Sequence, residues 1–497
     1  MLNFENIILS KSLENNIETI KKVFNEDDTL IIRQFENQHD SKLKCCIFFV
    51  DGMANTEMIS ENIISPIVTS SVIKSSRNTI HTLQYQVLLS RQITKTDSLI
   101  RLIEAIINGD TVLLVDSLSE ALIINTKDWQ TRAIEEPPSE KVLRGPREGF
   151  TESILVNLSM IRRKVSSSKL KFKLITLGEE TRTEAYICYI EEIVNEKILD
   201  ELYRRLSSFN MDGVLAVNYI QEFIKDAPLS PFKTVGTTER PDVVAAKLLE
   251  GRIAIILDGT PTAITLPYLF IEYFQSNEDY YLSFYFGSIG RILRILGFII
   301  TTSVPAIYLA LVTFHQELIP TPLVLSISAA RQGVPFPTVV ELIGMLTVFE
   351  ILREAGTRMP TYIGQALSIV GALVLGQAAV QARFVSAPII IIVALSGITG
   401  LMIPALTGIS IIARTALLLL SSALGLYGYV FGMLGIGIHL FSIRSFGVPY
   451  MSNLTSMKLQ DLKDTFIRAP WWYMEYRPQF IASKKLRRKA FGGKNNE

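Results

Sequence analysis

The chain has 497 residues, 48% of them hydrophobic, and its 49 Lys and Arg nearly cancel its 48 Asp and Glu to leave a formal net charge of +1. That balance offers no bulk basicity for a nucleic-acid partner, and the length is more than one domain needs. Three cysteines, Cys45, Cys46 and Cys188, are too few for a disulfide framework and read as buried strand residues in a reducing compartment.

Charge is divided sharply along the chain. Residues 1–290 carry most of the Asp, Glu, Lys and Arg, whereas 291–443 is nearly continuous apolar sequence and 444–497 is a basic and aromatic tail. The first 30 residues lack a charged start, a long apolar core and a small-residue cleavage site, so the soluble half is expected to stay in the cytoplasm.

Within the soluble half, an N-terminal segment (1–27) precedes two stretches that repeat one another. NGDTVLLVDSLSEALII at 108–124 and EGRIAIILDGTPTAITL at 250–266 align at an offset of 142, with Gly109 on Gly251 and Asp116 on Asp258. A predicted helix precedes each copy. Further upstream, KCCIFFVDGMANTEMI and EAYICYIEEIVNEKIL align at an offset of 140. The fold class expected is an α/β cytoplasmic region of two related subdomains, followed by an α-helical multi-pass transmembrane domain. The first subdomain is set at 28–140, and the linker with the second at 141–290. The linker carries Arg144-Gly-Pro-Arg147-Glu148.

Catalytic signatures are missing. There is no GxxxxGK[ST] loop, no GxGxxG after a strand, and no metal-ligand spacing among His39, His81, His315 and His439. Asp51, Asp116 and Asp258 end strands and read as turn residues that accept backbone hydrogen bonds. No enzyme activity, cofactor or metal is expected.

In the membrane half, Ile292 to Phe314 is the first span, entered by Arg291 and Arg294. Residues 316–358 are broken by prolines and carry Glu341 and Glu350 on opposite helical faces, with Arg353 and Glu354 close behind. This stretch reads as re-entrant or interfacial. Three further spans are placed at about 361–380, 387–406 and 414–440, the last holding Gly425, Gly428, Gly432, Gly435 and Gly437. Four spans return the tail to the side of the soluble half, where Lys484 to Lys489 satisfy the positive-inside rule and Trp471, Trp472, Tyr473 and Tyr476 suit a headgroup-level anchor in membrane lipid. On the second span, Thr361, Gln365, Ser368, Ala372, Gly376, Ala379 and Arg383 share one sector. Such a small and polar stripe faces either another helix or a hydrated pore.

Arg144-Gly-Pro-Arg-Glu-Gly-Phe150, Asp258-Gly-Thr-Pro261, Val334-Pro-Phe-Pro337, Arg353-Glu-Ala-Gly356, Ser368-Ile-Val-Gly371, Leu375-Gly-Gln-Ala-Ala-Val380 and Val385-Ser386 occur in that order. Together they resemble the A subunit of GerA-type spore germinant receptors over about residues 30–480. Arg383 departs from the pattern, which calls for a small or apolar residue there. The resemblance implies an inner spore membrane protein working with a transporter-like B subunit and a lipoprotein C subunit. It also implies that the chain oligomerises into a germinant-gated ion channel. Alternatives at this stage are an orphan A-type paralogue that amplifies germination without its own nutrient sensor, and a stand-alone secondary transporter. The transporter reading is disfavoured because the repeat lies in the soluble part.

Overall fold

The computed structural model describes residues 9–72, 79–90, 92–128, 136–137, 140–142, 144–359, 374–452, 464–478, 480–482 and 486–487. The first subdomain opens with helix α1 (Leu13–Val23) and holds strands β1 (Leu30–Glu36), β2 (Lys44–Val50), β3 (Ile93–Thr96), β4 (Thr111–Val115) and β5 (Ala121–Ile124), with α2 (Leu99–Ile107) before β4. The second repeats this plan with α3 (Ile154–Lys164), β6 (Leu170–Leu177), β7 (Thr183–Ile190), α4 (Glu196–Leu206), α5 (Val217–Ile224), β8 (Gly236–Thr238), α6 (Pro241–Leu249), β9 (Ile253–Leu257) and β10 (Ala263–Leu266). Strand orders are β1-β2-β4-β5-β3 and β6-β7-β9-β10-β8, and every pairing is antiparallel.

Both sequence offsets survive as register. Cys46 pairs with Leu114, and the residues 140 and 142 positions later, Tyr186 and Ile256, pair with each other. Central strands β4 and β9 are buried along their whole length, which is why each reads as an unbroken apolar run. Gly109 and Gly251 both take positive φ after α2 and α6, a backbone conformation that only glycine adopts without strain.

The aspartates after β4 and β9 have matching work. Asp116 accepts from the Leu13 amide at 3.2 Å, and Asp258 accepts from the Ile154 amide at 3.1 Å, so each satisfies a free donor at the start of α1 or α3. Asn16 and Asn157 match as well. Each clasps both backbone groups of the residue six positions earlier, Ser10 or Thr151. Residues 13–27, set apart from the first subdomain by the sequence reading, thus supply its opening helix, whose Leu13, Ile17 and Ile20 are buried against β2 and α2. The signal was weak because an isolated helix of 11 residues has little stability of its own.

The subdomains dock through the turn after α1. The Arg162 guanidinium on α3 meets Asp27 at 2.6 Å with both side chains fully buried, and stacks over Phe172 at 4.5 Å. Asp28 caps the edge of β6, donating its amide to the Phe172 carbonyl and accepting from the Leu174 amide. An otherwise open sheet edge is closed in this way.

Among the described residues, two stretches are long and apolar enough to cross a membrane, α7 (Phe284–Thr313) and Pro404–Ser442. Around them lie α8 (Thr321–Arg331), α9 (Thr338–Arg358), α10 (Ala387–Gly400) and α11 (Thr407–Ser442). These helices meet the spans placed from the sequence unevenly. Residues 316–358 contain two ordinary helices, of which α9 runs for 21 residues. Of the span placed at 361–380, residues 361–373 lie outside the described residues, and 374–381 are helical. The span placed at 387–406 forms a helix only to Gly400. Finally, the span placed at 414–440 is not one straight helix.

At Gly425 (φ 60, ψ −140) α11 folds back on itself. A Cβ on Gly428 would run into the Leu420 carbonyl oxygen, and one on Gly432 would fall 2.7 Å from Leu417 Cδ2. Neither approach is geometrically possible in a continuous helix. Residues 407–424 and 426–442 are therefore antiparallel arms, each about 26 Å long at 1.5 Å per residue, close to one bilayer core. The turn lies beside Phe314 and His315 at the far end of α7. The returning arm ends in the second subdomain, where Leu440, Ile443 and Phe446 join Leu406, Phe274 and Val235 in one core. The soluble half and the tail consequently lie on the same side of the helix bundle. Leu420, Tyr427, Phe431, Leu434 and Ile438 are exposed along the arms, as lipid-facing residues are.

Gly425→Leu should cost roughly 1–3 kcal/mol from backbone strain alone and meet His315 in addition, lowering the melting temperature of the purified protein. Gly435→Ala and Gly437→Ala, whose Cβ positions are open, should leave it unchanged.

Candidate functional site

Apolar helices in lipid must satisfy their polar groups internally, so the polar atoms of the bundle locate its specialised region. Thr301 on α7 and Ser396 on α10 exchange hydrogen bonds, each hydroxyl donating to the other's carbonyl at 3.2 and 2.9 Å. Arg414, on the first arm of α11 and 3% exposed in its side chain, donates to Ser396 Oγ at 3.2 Å and pairs with Glu350 of α9 at 2.6 Å. Arg353 lies 2.6 Å from the other Glu350 oxygen. Four helices thus converge on one carboxylate and two guanidinium groups beside a small cleft that Thr301, Glu350, Arg353, Ser396, Ser410 and Arg414 help to line. Gly397 admits the Phe349 ring there, since any Cβ would overlap it.

Glu341, nine residues earlier on α9, serves the opposite face. Its carboxylate accepts the Ser386 amide at 2.9 Å, at the start of α10, and stands 3.9 Å from Arg331 of α8. Opposite faces of α9 are therefore each tied by a carboxylate, Glu341 buried and Glu350 half-buried, to different helices. Glu354, by contrast, makes an exposed pair with Arg358.

A second polar centre joins the soluble half to α7. Arg291 is fully buried, contacting Asp279 at 3.4 Å and Asp464 of the tail at 2.8 Å, while Arg294 also holds Asp279. Arg468 of the tail donates to the Leu282 carbonyl. Just outside, Arg240 pairs with Asp242 and donates to the Glu140 and Pro146 carbonyls of the linker. Asp242 also accepts from Tyr281 at 2.7 Å and Asn277 at 2.6 Å. Burial alone would raise its pKa, but the hydrogen bonds from Arg240 and Tyr281 outweigh that and hold it below the usual carboxylate range.

A family described as Bacillus/Clostridium GerA spore germination protein matches residues 18–480. The chain belongs to the GerA family. GerA relatives include "Spore germination protein KA" of Bacillus subtilis (strain 168), 41% identical over 96% of this chain and 88% of that one. "Uncharacterized membrane protein YfkQ" of the same strain is 39% identical over 95% and 91%. Among solved structures, the N-terminal domain of the A subunit of the Bacillus megaterium spore germinant receptor GerK3 matches at 27% identity and a TM-score of 0.39, covering 53% of this chain and 98% of that one.

Of the stripe singled out in this GerA chain, Thr361, Gln365, Ser368 and Ala372 lie outside the described residues. Gly376 is buried with its Cβ position 3.9 Å from Ile390, and Ala379 packs against the cluster of Leu309, Leu342 and Ile389, so these two face neighbouring helices. Arg383 takes a left-handed φ of 57° and its guanidinium lies against Gly333. In the linker, Arg144 and Arg147 are exposed, whereas Glu148 pairs with Lys164 at 2.8 Å. Arg414 was missed. A lone cation at the start of an apolar run signals the need for a carboxylate, but its choice of Glu350, 64 residues away, over Glu341 is decided only by the fold.

Arg414→Met leaves Glu350 with Arg353 as its remaining partner and should cost roughly 1.5–3 kcal/mol for the lost charged hydrogen bond, read as lowered protein abundance in membranes. Glu350→Gln combined with Arg414→Met should recover most of that abundance.

Proposed function

We propose that the chain is the membrane subunit of a spore germinant receptor, acting with a transporter-like B subunit and a lipoprotein C subunit. Copies of it assemble around a germinant-gated path for ions in the inner spore membrane, with the soluble half and the tail on the core side. Its work is assembly and conduction rather than catalysis. The observation that carries this reading is family membership along residues 18–480, across both the soluble and the membrane half. The bundle adds physical support. Paired carboxylates on both faces of α9 are the kind of intramembrane ionisable groups found where ions or charges move, and α9 cannot shift without exchanging those partners.

Deleting the gene should abolish the response of spores to at least one nutrient, and an affinity-tagged chain should recover B- and C-type subunits from spore membranes. An unchanged response to every nutrient, with no such subunits recovered, would sink the proposal.

Conduction is tested separately. With Ala372→Phe, ion release should fall while abundance and partner recovery stay normal. Loss of abundance would instead assign that face to helix packing, and normal release from assembled protein would remove it from the path.

The side of the membrane is tested by labelling. Burial pushes the Cys45 and Cys46 thiols up to about 12 and raises Cys188 too, so native thiols give little background at pH 7.5. Glu475→Cys, in the exposed tail, should react with an impermeant maleimide in inverted vesicles and stay protected in right-side-out ones. The reverse pattern would place the soluble half outside.

A further inference from the structure

The linker motif has a mechanical role that leaves two of its charges unused. Gly145 takes φ +117 and presses its backbone onto Tyr281, so that a Cβ there would fall 2.5 Å from the ring. Tyr281 is anchored on Asp242, and Arg240 holds the linker carbonyls on either side of Gly145. Residue 145 is thereby mounted firmly beside the entrance of α7.

The membrane boundary at this place can be located. On α7 the exposed apolar face begins at Tyr285 and Phe286, 67% and 70% exposed, and continues through Ile289, Ile292 and Leu296. Trp472 lies 6.1 Å from Phe284, and Trp471 lies 6.0 Å from Tyr280, an aromatic belt around the helix base. Tyr281 closes the short 3₁₀ turn that ends three residues before α7 begins, at the level where this apolar face starts. That depth falls in the polar layer, roughly 5–8 Å thick on each side of the hydrocarbon core.

Arg144 and Arg147 flank this position. Both are exposed and make no ion pair with any described residue, while nearby carboxylates are already engaged: Glu148 by Lys164, Asp242 by Arg240, Asp279 by Arg291 and Arg294. We propose that Arg144 and Arg147 bind the phosphates of anionic phospholipids, anchoring the linker to the membrane surface. A planar guanidinium suits phosphate, which it can contact through two parallel hydrogen bonds. The inference rests on α7 spanning a bilayer and is independent of any ion path.

The test uses the full-length protein in nanodiscs of mixed phosphatidylcholine and phosphatidylglycerol, with the enrichment of phosphatidylglycerol around the protein as readout. Each surface arginine near an anionic membrane contributes about 1 kcal/mol, or about five-fold. Arg144→Gln/Arg147→Gln should therefore reduce the phosphatidylglycerol preference by roughly 25-fold, with an unchanged melting temperature in pure phosphatidylcholine. Arg144→Lys/Arg147→Lys should retain most of the preference. An equal preference in wild type and the Gln variant would overturn the proposal. So would a lowered melting temperature in pure phosphatidylcholine, which would assign the arginines to internal packing. Loss of the preference on adding 10 mM inorganic phosphate, but not on adding chloride at equal ionic strength, would make the ligand a free anion and overturn the lipid assignment. If the Gln pair does not accumulate, Arg147→Gln alone should lower the preference about five-fold, and no change would refute it.

Discussion

A charge packed among apolar helices has little water to solvate it, and that constraint organises the apolar half of this protein. Glu350 and Arg414 come from helices far apart in sequence, and each would be prohibitively costly alone. Their pairing fixes α9 against the first arm of α11, and Ser396 and Thr301 bring α10 and α7 to the same point. Once those four helices meet, glycines let neighbours pack closely: Phe349 over Gly397, Leu417 against Gly432. The pair selects one arrangement from the many that apolar surfaces alone would accept.

Continuity between the halves follows from a second set of buried charges. Arg291 holds Asp279 before α7 and Asp464 in the tail, so both chain ends of the bundle meet at one guanidinium. Around it, the core of the second subdomain runs without interruption into the bases of the membrane helices. A shift of that subdomain therefore bears directly on α7 and on the returning arm of α11. Among the described residues, the first subdomain meets the second through Asp27 with Arg162, Asp28 with the edge of β6, and Glu26 with Tyr189. Duplication supplied two copies of one scaffold, and the copies have diverged: at an offset of 141, Lys21 stands in the place of Arg162 and keeps the charge, whereas Ser168 stands in that of Asp27 and loses it. The inter-subdomain contact therefore has no counterpart elsewhere in the repeat.

Much of the soluble half was legible because strand cores and tight turns are local. Apolar runs ending in Asp116 and Asp258, and the glycines opening them, mark the same strand in both subdomains. What local pattern could not show was the partner of each aspartate, the first turn of a helix about a hundred residues away in sequence. In the membrane half, hydropathy marked α7 well but misread α11, because a reversal at Gly425 leaves the apolar run unbroken. A glycine that turns the chain and one that merely lets helices approach look the same in a sequence. Gly425, Gly428 and Gly432 separate from Gly435 and Gly437 only once their surroundings are known.

By itself the sequence determined the division into a charged and an apolar half, the internal repeat, and the family. Each of these depends on composition or on short spacings, which survive without three-dimensional information. Tertiary structure decided which charges neutralise one another: Glu350 with Arg414, Arg291 with Asp279 and Asp464, Arg240 with Asp242. It also decided that Arg144 and Arg147 have no such partner among the described residues. The physical reason is that electrostatic pairing depends on distance in space and on exclusion of water, and neither is a property of neighbouring residues along the chain.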